Sequence, residues 1–193
     1  MLKKTCLVII FLLFGYVGLS QDFFQQVSAC AIELTKDSVE YDPSYFSIKY
    51  PSGDVPKGKG VCTDVVIRSY RKMGIDLQKE VHEDMKQNFS AYPKLWGLTK
   101  TDTNIDHRRV PNLMTYFKRQ GAEKSISTNT KDYLPGDIVA WNLGGAITHI
   151  GIVIDQKSID KKRNLIVHNI GQGQVAEDVL FDYTIIGHYR YKK

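Results

Sequence analysis

The N-terminal part of the chain has apolar residues that recur at three- and four-residue intervals, with turn-forming residues between these segments. This spacing lines apolar side chains along one face of an α-helix and therefore predicts amphipathic helices. The stretch 50–60, rich in Pro and Gly, interrupts the pattern and predicts a loop. Four helices are expected, over Asp22 to about Thr35, Cys62–Met73, Gln78–Phe89 and Pro111 to about Gln120.

After Pro135-Gly136 the pattern changes to short runs rich in Ile, Val and Tyr, which turn residues separate. Such runs are typical of β-strands. The expected strands cover Asp137–Trp141, Thr148–Asp155, Asn164–Asn169 and Thr184–Tyr191, whereas the stretch 172–182 gives no clear boundaries. Helices first and strands later predict an α+β fold in which N-terminal helices pack on a C-terminal antiparallel sheet.

The first 20 residues differ in composition from the rest of the chain. Lys3 and Lys4 precede an almost unbroken apolar run from Cys6 to Leu19, and no acidic residue occurs before Asp22. This pattern predicts a signal peptide over residues 1–20 and an exported, periplasmic or extracellular protein without a stable membrane span after cleavage. The alternative is an uncleaved anchor, because the run is borderline in length for a membrane span. Residues 21–193 are expected to form one domain.

Charge and cysteine content limit the possible functions. The formal net charge is +5 at pH 7, but basic and acidic residues alternate along the chain and form no basic stripe of the kind that nucleic-acid binding requires, so no nucleic-acid partner is expected. Once the signal peptide is removed, Cys30 and Cys62 remain. They can form a disulfide in an exported protein, or one of them can be a reactive thiol.

The strongest candidate chemistry is a cysteine at the start of a helix combined with histidines on later strands. Cys62 follows a glycine-rich loop and begins a predicted helix, where free N–H groups and partial positive charge are expected to lower the thiol pKa. Asp64 is expected to point away from it, two helical positions on. His149 is the candidate base and His168 the residue that orients it. Gly151, on the same strand face as His149, is expected to let the Cys62 helix approach.

The spacing alone also allows a structural interpretation. Cys62 can be a small buried apolar residue, and His149 and His168 can be hydrogen-bonded polar residues of the sheet. A metal site is not expected, because the five histidines show no His-Glu-x-x-His or His-x-His spacing that would place two ligands on one face. No cofactor is required for the cysteine chemistry.

Several motifs, in order along the chain, resemble those of papain-like cell-wall peptidases of the NlpC type. They are Gly60-Val61-Cys62-Thr63-Asp64, Leu134-Pro135-Gly136-Asp137, Thr148-His149-Ile150-Gly151 and Val167-His168. A closer resemblance covers nearly all the mature chain and is to the exported bacterial family catalogued as domain of unknown function 1287. It rests on Tyr50–Pro56, Val81–Met85, Asn104–Leu113, His168–Gly171 and Gly187–Tyr191.

These resemblances imply a papain-like fold with Cys62 as nucleophile, His149 as base and His168 as third polar residue. They also imply action on an amide bond, with peptidoglycan stem peptides as the plausible substrate. The cell-wall enzymes usually have Asp before the cysteine and Ser-Gly after it, whereas this chain has Val61 before and Thr63-Asp64 after.

A polar loop has no counterpart in that core pattern and is a candidate substrate-binding element. Its residues include Asp106, His107, Arg108 and Arg109. Because arginine pairs with carboxylates in bidentate geometry, Arg108 or Arg109 is expected to recognise an acidic group on the substrate. The alternative is a salt-bridged loop that braces the site.

The sequence therefore predicts a cell-envelope cysteine amidase or peptidase. Acyl transfer by the same machinery and a catalytically silent envelope-binding module remain the alternatives. The sequence does not indicate an oligomeric state.

Overall fold

The computed structural model describes residues 22–193, so the predicted signal peptide at residues 1–20 lies outside the described part of the chain. All four predicted helices are present, with ends that differ from the expected ones by one or two residues. They are α1 (Phe23–Leu34), α2 (Cys62–Lys72), α3 (Leu77–Gln87) and α4 (Val110–Arg119). Asp76 precedes α3 and caps it, because its side chain accepts a hydrogen bond from the Gln78 N–H. Pro111 lies in the first turn of α4, as expected of this residue type.

The C-terminal part forms a five-stranded antiparallel sheet. Its strands are β3 (Ile138–Asn142), β4 (Thr148–Lys157), β5 (Asn164–His168), β6 (Val175–Glu177) and β7 (Thr184–Tyr189), in the spatial order β6-β5-β4-β3-β7. Strand β6 falls in the stretch 172–182, for which the sequence gives no boundaries. Two further strands of two residues each, β1 (Glu40–Tyr41) and β2 (Lys59–Gly60), pair in parallel just before α2.

The two faces of the sheet are packed differently. Ile150, Ile152 and Ile154 of β4 lie in the main core with apolar residues of α1, α2 and α4. Val153, on the opposite face, packs with Trp141 of β3 in a smaller cluster. This alternation is what a strand that is buried on both sides produces. The α+β prediction, with helices on an antiparallel sheet, is confirmed.

Gly151 makes room for a neighbouring strand rather than for a helix. A side-chain carbon at this position would lie 2.7 Å from Ile166 Cγ2 and 2.9 Å from the Val167 carbonyl oxygen, both on β5. Real side-chain carbons do not approach other atoms so closely, so only glycine fits there. The expectation that Gly151 lets the Cys62 helix approach is therefore wrong. The glycine lets β4 and β5 come together.

Within residues 22–193, no helix combines the length and apolar character that a membrane span requires.

Candidate active site

Cys62 is the first residue of α2, and Val61 alone separates it from β2. The Asp64 carboxylate turns back and accepts a hydrogen bond of 2.7 Å from the Val61 N–H, which satisfies one of the free donors at the helix start. Asp64, which helical geometry is expected to turn away from Cys62, is instead held at the start of the helix by this capping bond, where its charge adds to the rise of the Cys62 pKa. The Thr63 hydroxyl donates to the Arg108 carbonyl oxygen at 3.3 Å and joins the polar loop to this helix.

The Cys62 thiol is buried, and burial raises its pKa to about 12. Hydrogen bonds from the N–H groups of Ile150, Thr63 and Cys62 itself act in the opposite direction, while the Asp64 charge adds to the rise. The expected lowering of the pKa by the helix N-terminus is therefore outweighed by the cost of burying a thiolate. In this structure Cys62 is a neutral thiol at neutral pH.

Three side chains on three successive strands form a hydrogen-bonded chain beside this helix. His149 Nε2 on β4 lies 2.9 Å from His168 Nδ1 on β5. His168 Nε2 lies 2.9 Å from Glu177 Oε2 on β6. We call these three residues the relay. The Trp141 ring packs against His149 at an interplanar angle of 33°, with ring centroids 5.9 Å apart, and limits the movement of the imidazole.

The relay determines where the protons lie. Burial lowers the pKa of His149 to about 3 and also lowers that of His168, so both rings are neutral at pH 7. An ionised carboxylate only accepts, so His168 Nε2 donates to Glu177 and His168 Nδ1 accepts from His149 Nε2. His149 Nδ1 is then left with a free lone pair and makes no hydrogen bond within residues 22–193. This tautomer presents the lone pair through which His149 can accept a proton, while the low pKa means that the buried ring holds that proton weakly.

Cys62 lies beside the strand segment that carries His149. The Ile150 N–H acts to lower the pKa of the Cys62 thiol, and Thr148 lines a cavity together with Cys62. The residues on both sides of His149 therefore lie near Cys62. In the part of the chain that the structure describes, no hydrogen bond joins Cys62 to His149. Catalytic hydrogen bonds are often long or poorly aligned until substrate binds.

The cavity at Cys62 has a volume of about 180 Å³. We call it the Cys62 cavity. Its walls combine aromatic, aliphatic and arginine side chains from β1, the polar loop and the start of α4. They are formed by Tyr41, Pro43, Val61, Cys62, Trp96, Ile105, Arg108, Arg109, Val110, Pro111 and Thr148.

Arg108 reaches the Cys62 cavity but its charge is already paired. Its Nε and Nη2 donate to the two oxygens of Asp64 at 3.0 and 3.1 Å, and Nη1 donates to the Ser44 carbonyl oxygen at 3.3 Å. The Arg108 and Asp64 side chains are 2% and 4% exposed. For Arg108, the geometry corresponds to the alternative interpretation, a salt-bridged loop that braces the site.

Arg109 is placed differently from its neighbour. Its guanidinium lies over the ring of Trp96, 4.6 Å from the centroid, and its Nη1 is buried without a hydrogen-bond partner. No carboxylate of the described residues lies within ion-pairing distance of it. Of the two arginines, Arg109 is the one with an unpaired charge in the Cys62 cavity.

Asp106 and His107 are buried and do not line the Cys62 cavity. Asp106 Oδ2 accepts from the Asp102 N–H at 2.8 Å and lies 2.9 Å from His82 Nδ1, so it holds the loop together. Burial raises the pKa of Asp106 and lowers that of His107 to about 3. The expected substrate-binding role of these two residues has no support in the geometry, because their side chains point into the protein.

Cys30 and Cys62 are both free, so this structure contains no disulfide between them. Cys30 on α1 is partly buried, with its sulfur 3.8 Å from Met73 Sδ. Within residues 22–193, no group of three or more histidine, cysteine, aspartate or glutamate side chains is arranged to hold a metal ion.

Sequence analysis missed three residues of this site. Glu177 lies on β6, a strand of three residues that is too short to show a period. Trp96 and Tyr41 line the Cys62 cavity from segments without helical or strand pattern. The available signal for Trp96 was its place beside Gly97 at the start of the polar loop, since large exposed aromatic residues in loops are often functional.

Comparison with known proteins identifies the relatives of the chain. The family described as "Domain of unknown function (DUF1287)" matches residues 28–191. The chain is also 53% identical over 151 residues to "Uncharacterized protein YijF" of Escherichia coli (strain K12), an alignment that covers 78% of this chain and 73% of the relative. No solved structure matches the chain.

Proposed function

The chain belongs to the DUF1287 family, and on that premise we propose that it is an exported cysteine amidase or peptidase of the cell envelope with a papain-like fold of the NlpC type. The observation that carries the proposal is the relay His149–His168–Glu177, which leaves a free lone pair on His149 beside the segment that contacts Cys62. Peptidoglycan stem peptides, or another envelope amide, are the proposed substrate.

In the first half of the proposed reaction, the Cys62 sulfur forms a bond to the amide carbonyl carbon while its proton moves to His149 Nδ1. The carbonyl π electrons move to oxygen. When they return, the C–N bond breaks, and His149 gives its proton to the leaving amine. A thioester on Cys62 remains, and no cofactor takes part.

Water completes the reaction. It attacks the thioester carbon and gives a proton to His149, and the C–S bond breaks as this proton returns to the Cys62 sulfur. The sum is one amide and one water converted into one carboxylic acid and one amine. Because the thiol has a pKa of about 12, it is still protonated when the substrate binds. His149 therefore removes the proton during the attack on the carbonyl carbon, not before it.

The start of α2 offers donors for the carbonyl oxygen. The N–H groups of Cys62 and Thr63 act to lower the pKa of the thiol, and they belong to the first turn of the helix, where the helix dipole places partial positive charge. An oxyanion that forms on the substrate next to the sulfur would lie within their reach.

The test is alkylation of Cys62 by iodoacetamide, with the modified residue mapped by mass spectrometry in a Cys30→Ser background. Because burial raises its pKa to about 12, the thiol is almost entirely protonated at pH 7, so an unassisted Cys62 reacts very slowly. We expect the wild-type rate at pH 7 to exceed that of His149→Ala at least tenfold, because His149 accepts the proton.

Digestion of purified peptidoglycan provides the second half of the test. We expect new amine termini with the wild-type protein and with Cys30→Ser, and none with Cys62→Ala or His149→Ala. If Cys62 is inert, or if His149→Ala leaves its reactivity unchanged, the enzyme proposal is wrong. A silent module that binds envelope components would then be the better explanation.

A further inference from the structure

Two adjacent arginines reach the Cys62 cavity, and their surroundings assign them different roles. Arg108 is bound bidentately by Asp64, and both side chains are almost completely buried. Its charge is neutralised within the protein. Arg109 has no carboxylate within ion-pairing distance in the described part of the chain, although one of its nitrogens is buried. A partly buried guanidinium without an anionic partner is costly unless a ligand supplies the partner.

Trp96 fixes the Arg109 side chain in an orientation that suits such a ligand. The guanidinium lies over the indole face, 4.6 Å from the ring centroid. Stacking uses the face of the guanidinium and leaves its in-plane N–H groups free, and these are the groups that bind a carboxylate in bidentate geometry. Trp96 is 62% exposed, so this stack stands at the mouth of the cavity and is open to an incoming molecule.

The position of the stack relative to Cys62 defines what it can recognise. Arg109, Trp96 and Cys62 all line the same cavity of about 180 Å³. Ligand pockets typically measure about 300–1,000 Å³, so this cavity accommodates only the part of a substrate that lies nearest to Cys62. A group bound by Arg109 is therefore close to the scissile bond and part of the same substrate residue or its direct neighbour.

From this arrangement we propose that Arg109, held by Trp96, is a carboxylate-recognition site that selects substrates with a free acid group next to the scissile amide. The inference rests on the proposed function, since it names the substrate class of the same site. Arg109 is then a specificity-determining residue, and Arg108 supports the wall of the cavity.

The first experiment compares two alkylating reagents that differ in charge. Iodoacetate is an anion and iodoacetamide is its neutral analogue, so the ratio of their rates at Cys62, normalised to free cysteine, measures attraction of the anion. Any change in the thiolate fraction cancels in this ratio. We expect the ratio to fall about tenfold in Arg109→Met and to stay close to wild type in Arg109→Lys, which keeps the charge.

Lys94→Met is the matched control for that comparison. Lys94 also stacks on an aromatic ring, with its nitrogen 3.1 Å from the Phe89 centroid, but it does not line the Cys62 cavity. We expect this variant to keep the wild-type ratio. An equal fall in Lys94→Met and Arg109→Met would show a general charge effect and would overturn the proposal, as would an unchanged ratio in Arg109→Met.

The second experiment does not depend on the reactivity of Cys62. The chain has two tryptophans, of which Trp141 is fully buried, so a ligand-induced change in fluorescence reports mainly on Trp96. N-acetylglutamate and N-acetylglutamine are titrated at equal ionic strength. We expect a saturable change with the acid that is at least tenfold weaker with the amide, absent in Trp96→Phe and lost in Arg109→Met.

These readouts separate the two proposals. If Cys62 reacts with neither reagent, the proposed enzyme function fails, and the fluorescence titration alone decides whether the carboxylate site exists. If Cys62 is reactive but the acid and the amide give the same fluorescence change, the enzyme proposal stands and the carboxylate site is refuted.

Discussion

Replacing Arg108 by Met removes one partner of a buried ion pair and leaves the Asp64 carboxylate without its cation. The two side chains are 2% and 4% exposed, and two hydrogen bonds of 3.0 and 3.1 Å join them. Breaking such a pair from one side costs about 3–5 kcal/mol. Because Asp64 keeps its hydrogen bond from the Val61 N–H, we expect the lower end, about 3 kcal/mol, which corresponds to a fall of about 10 °C in Tm for a domain of this size.

Arg109→Met is the matched comparison, because it removes the same functional group from the next residue. Arg109 makes a cation–π contact with an exposed ring and has no ion pair within the described residues. We expect a loss of stability below about 1 kcal/mol. In the double variant Asp64→Asn/Arg108→Met the buried charge is gone. We expect its loss of stability to be about 2 kcal/mol smaller than the sum of the losses in Asp64→Asn and Arg108→Met.

The assay is urea unfolding followed by far-ultraviolet circular dichroism at pH 7, with the slope and midpoint fitted separately. Equal stability of Arg108→Met and Arg109→Met would refute the assignment of Arg108 as the brace. So would a double variant whose loss equals the sum of the single losses, because the two side chains would then not be coupled.

Three further predictions follow from the relay, the buried histidines and the glycine turns. Glu177→Gln is expected to slow alkylation of Cys62 about tenfold with little change in Tm. The control is Asp178→Asn, which removes the carboxylate that pairs with Arg163 and should leave the alkylation rate unchanged. Equal rates in Glu177→Gln and wild type would show that Glu177 is not part of the relay. The pKa of both His149 and His107 is lowered to about 3, so below pH 6.5 the unfolded chain binds more protons than the folded protein. Stability should therefore fall as the pH drops from 6.5 to 4.5, by up to about 1.4 kcal/mol per pH unit for each histidine. Urea unfolding at these pH values measures this loss, which His107→Gln should reduce, and a flat profile would contradict the neutral buried rings. Gly136→Ala should cost at least about 3 kcal/mol, because φ is +87° there and the added carbon would lie 2.3 Å from the Phe24 carbonyl oxygen. Gly121→Ala has a φ of +69° but no close neighbour for the added carbon, and it should cost about 1–2 kcal/mol. Similar losses in the two variants would contradict this packing.

The helices could be predicted because burial of one face imposes a period on them, and the long strands because burial of both faces gives continuous apolar runs. Helix α2 has apolar residues at helical spacing and Gly74 just past its end, and β4 continues for ten residues with an unbroken apolar run over Ile150–Ile154. Strand β6 has three partly buried residues, too few for a period, so its existence depends on pairing with β5 and is invisible in the local sequence.

The candidate site was predictable to the extent that it depends on residue type. Cys62, His149 and His168 carry chemistry that few other residues provide, and the relay joins the two histidines as expected. The contacts of Gly151 and Asp64 and the direction of the Cys62 pKa were not predictable, because they depend on which atoms the fold brings near and how much water it removes. For the same reason the sequence could not tell paired Arg108 from unpaired Arg109.

The relay runs across the strands, and its last member lies on the shortest and outermost of them. Among the strands of residues 22–193, β6 pairs with β5 alone, and the Glu177 side chain is 37% exposed at this edge. Short edge strands open locally with a lower free energy than the core. On warming, amide protection at Val175–Glu177 should therefore be lost while the helices are intact, and the proposed activity should be lost reversibly at temperatures below the unfolding transition.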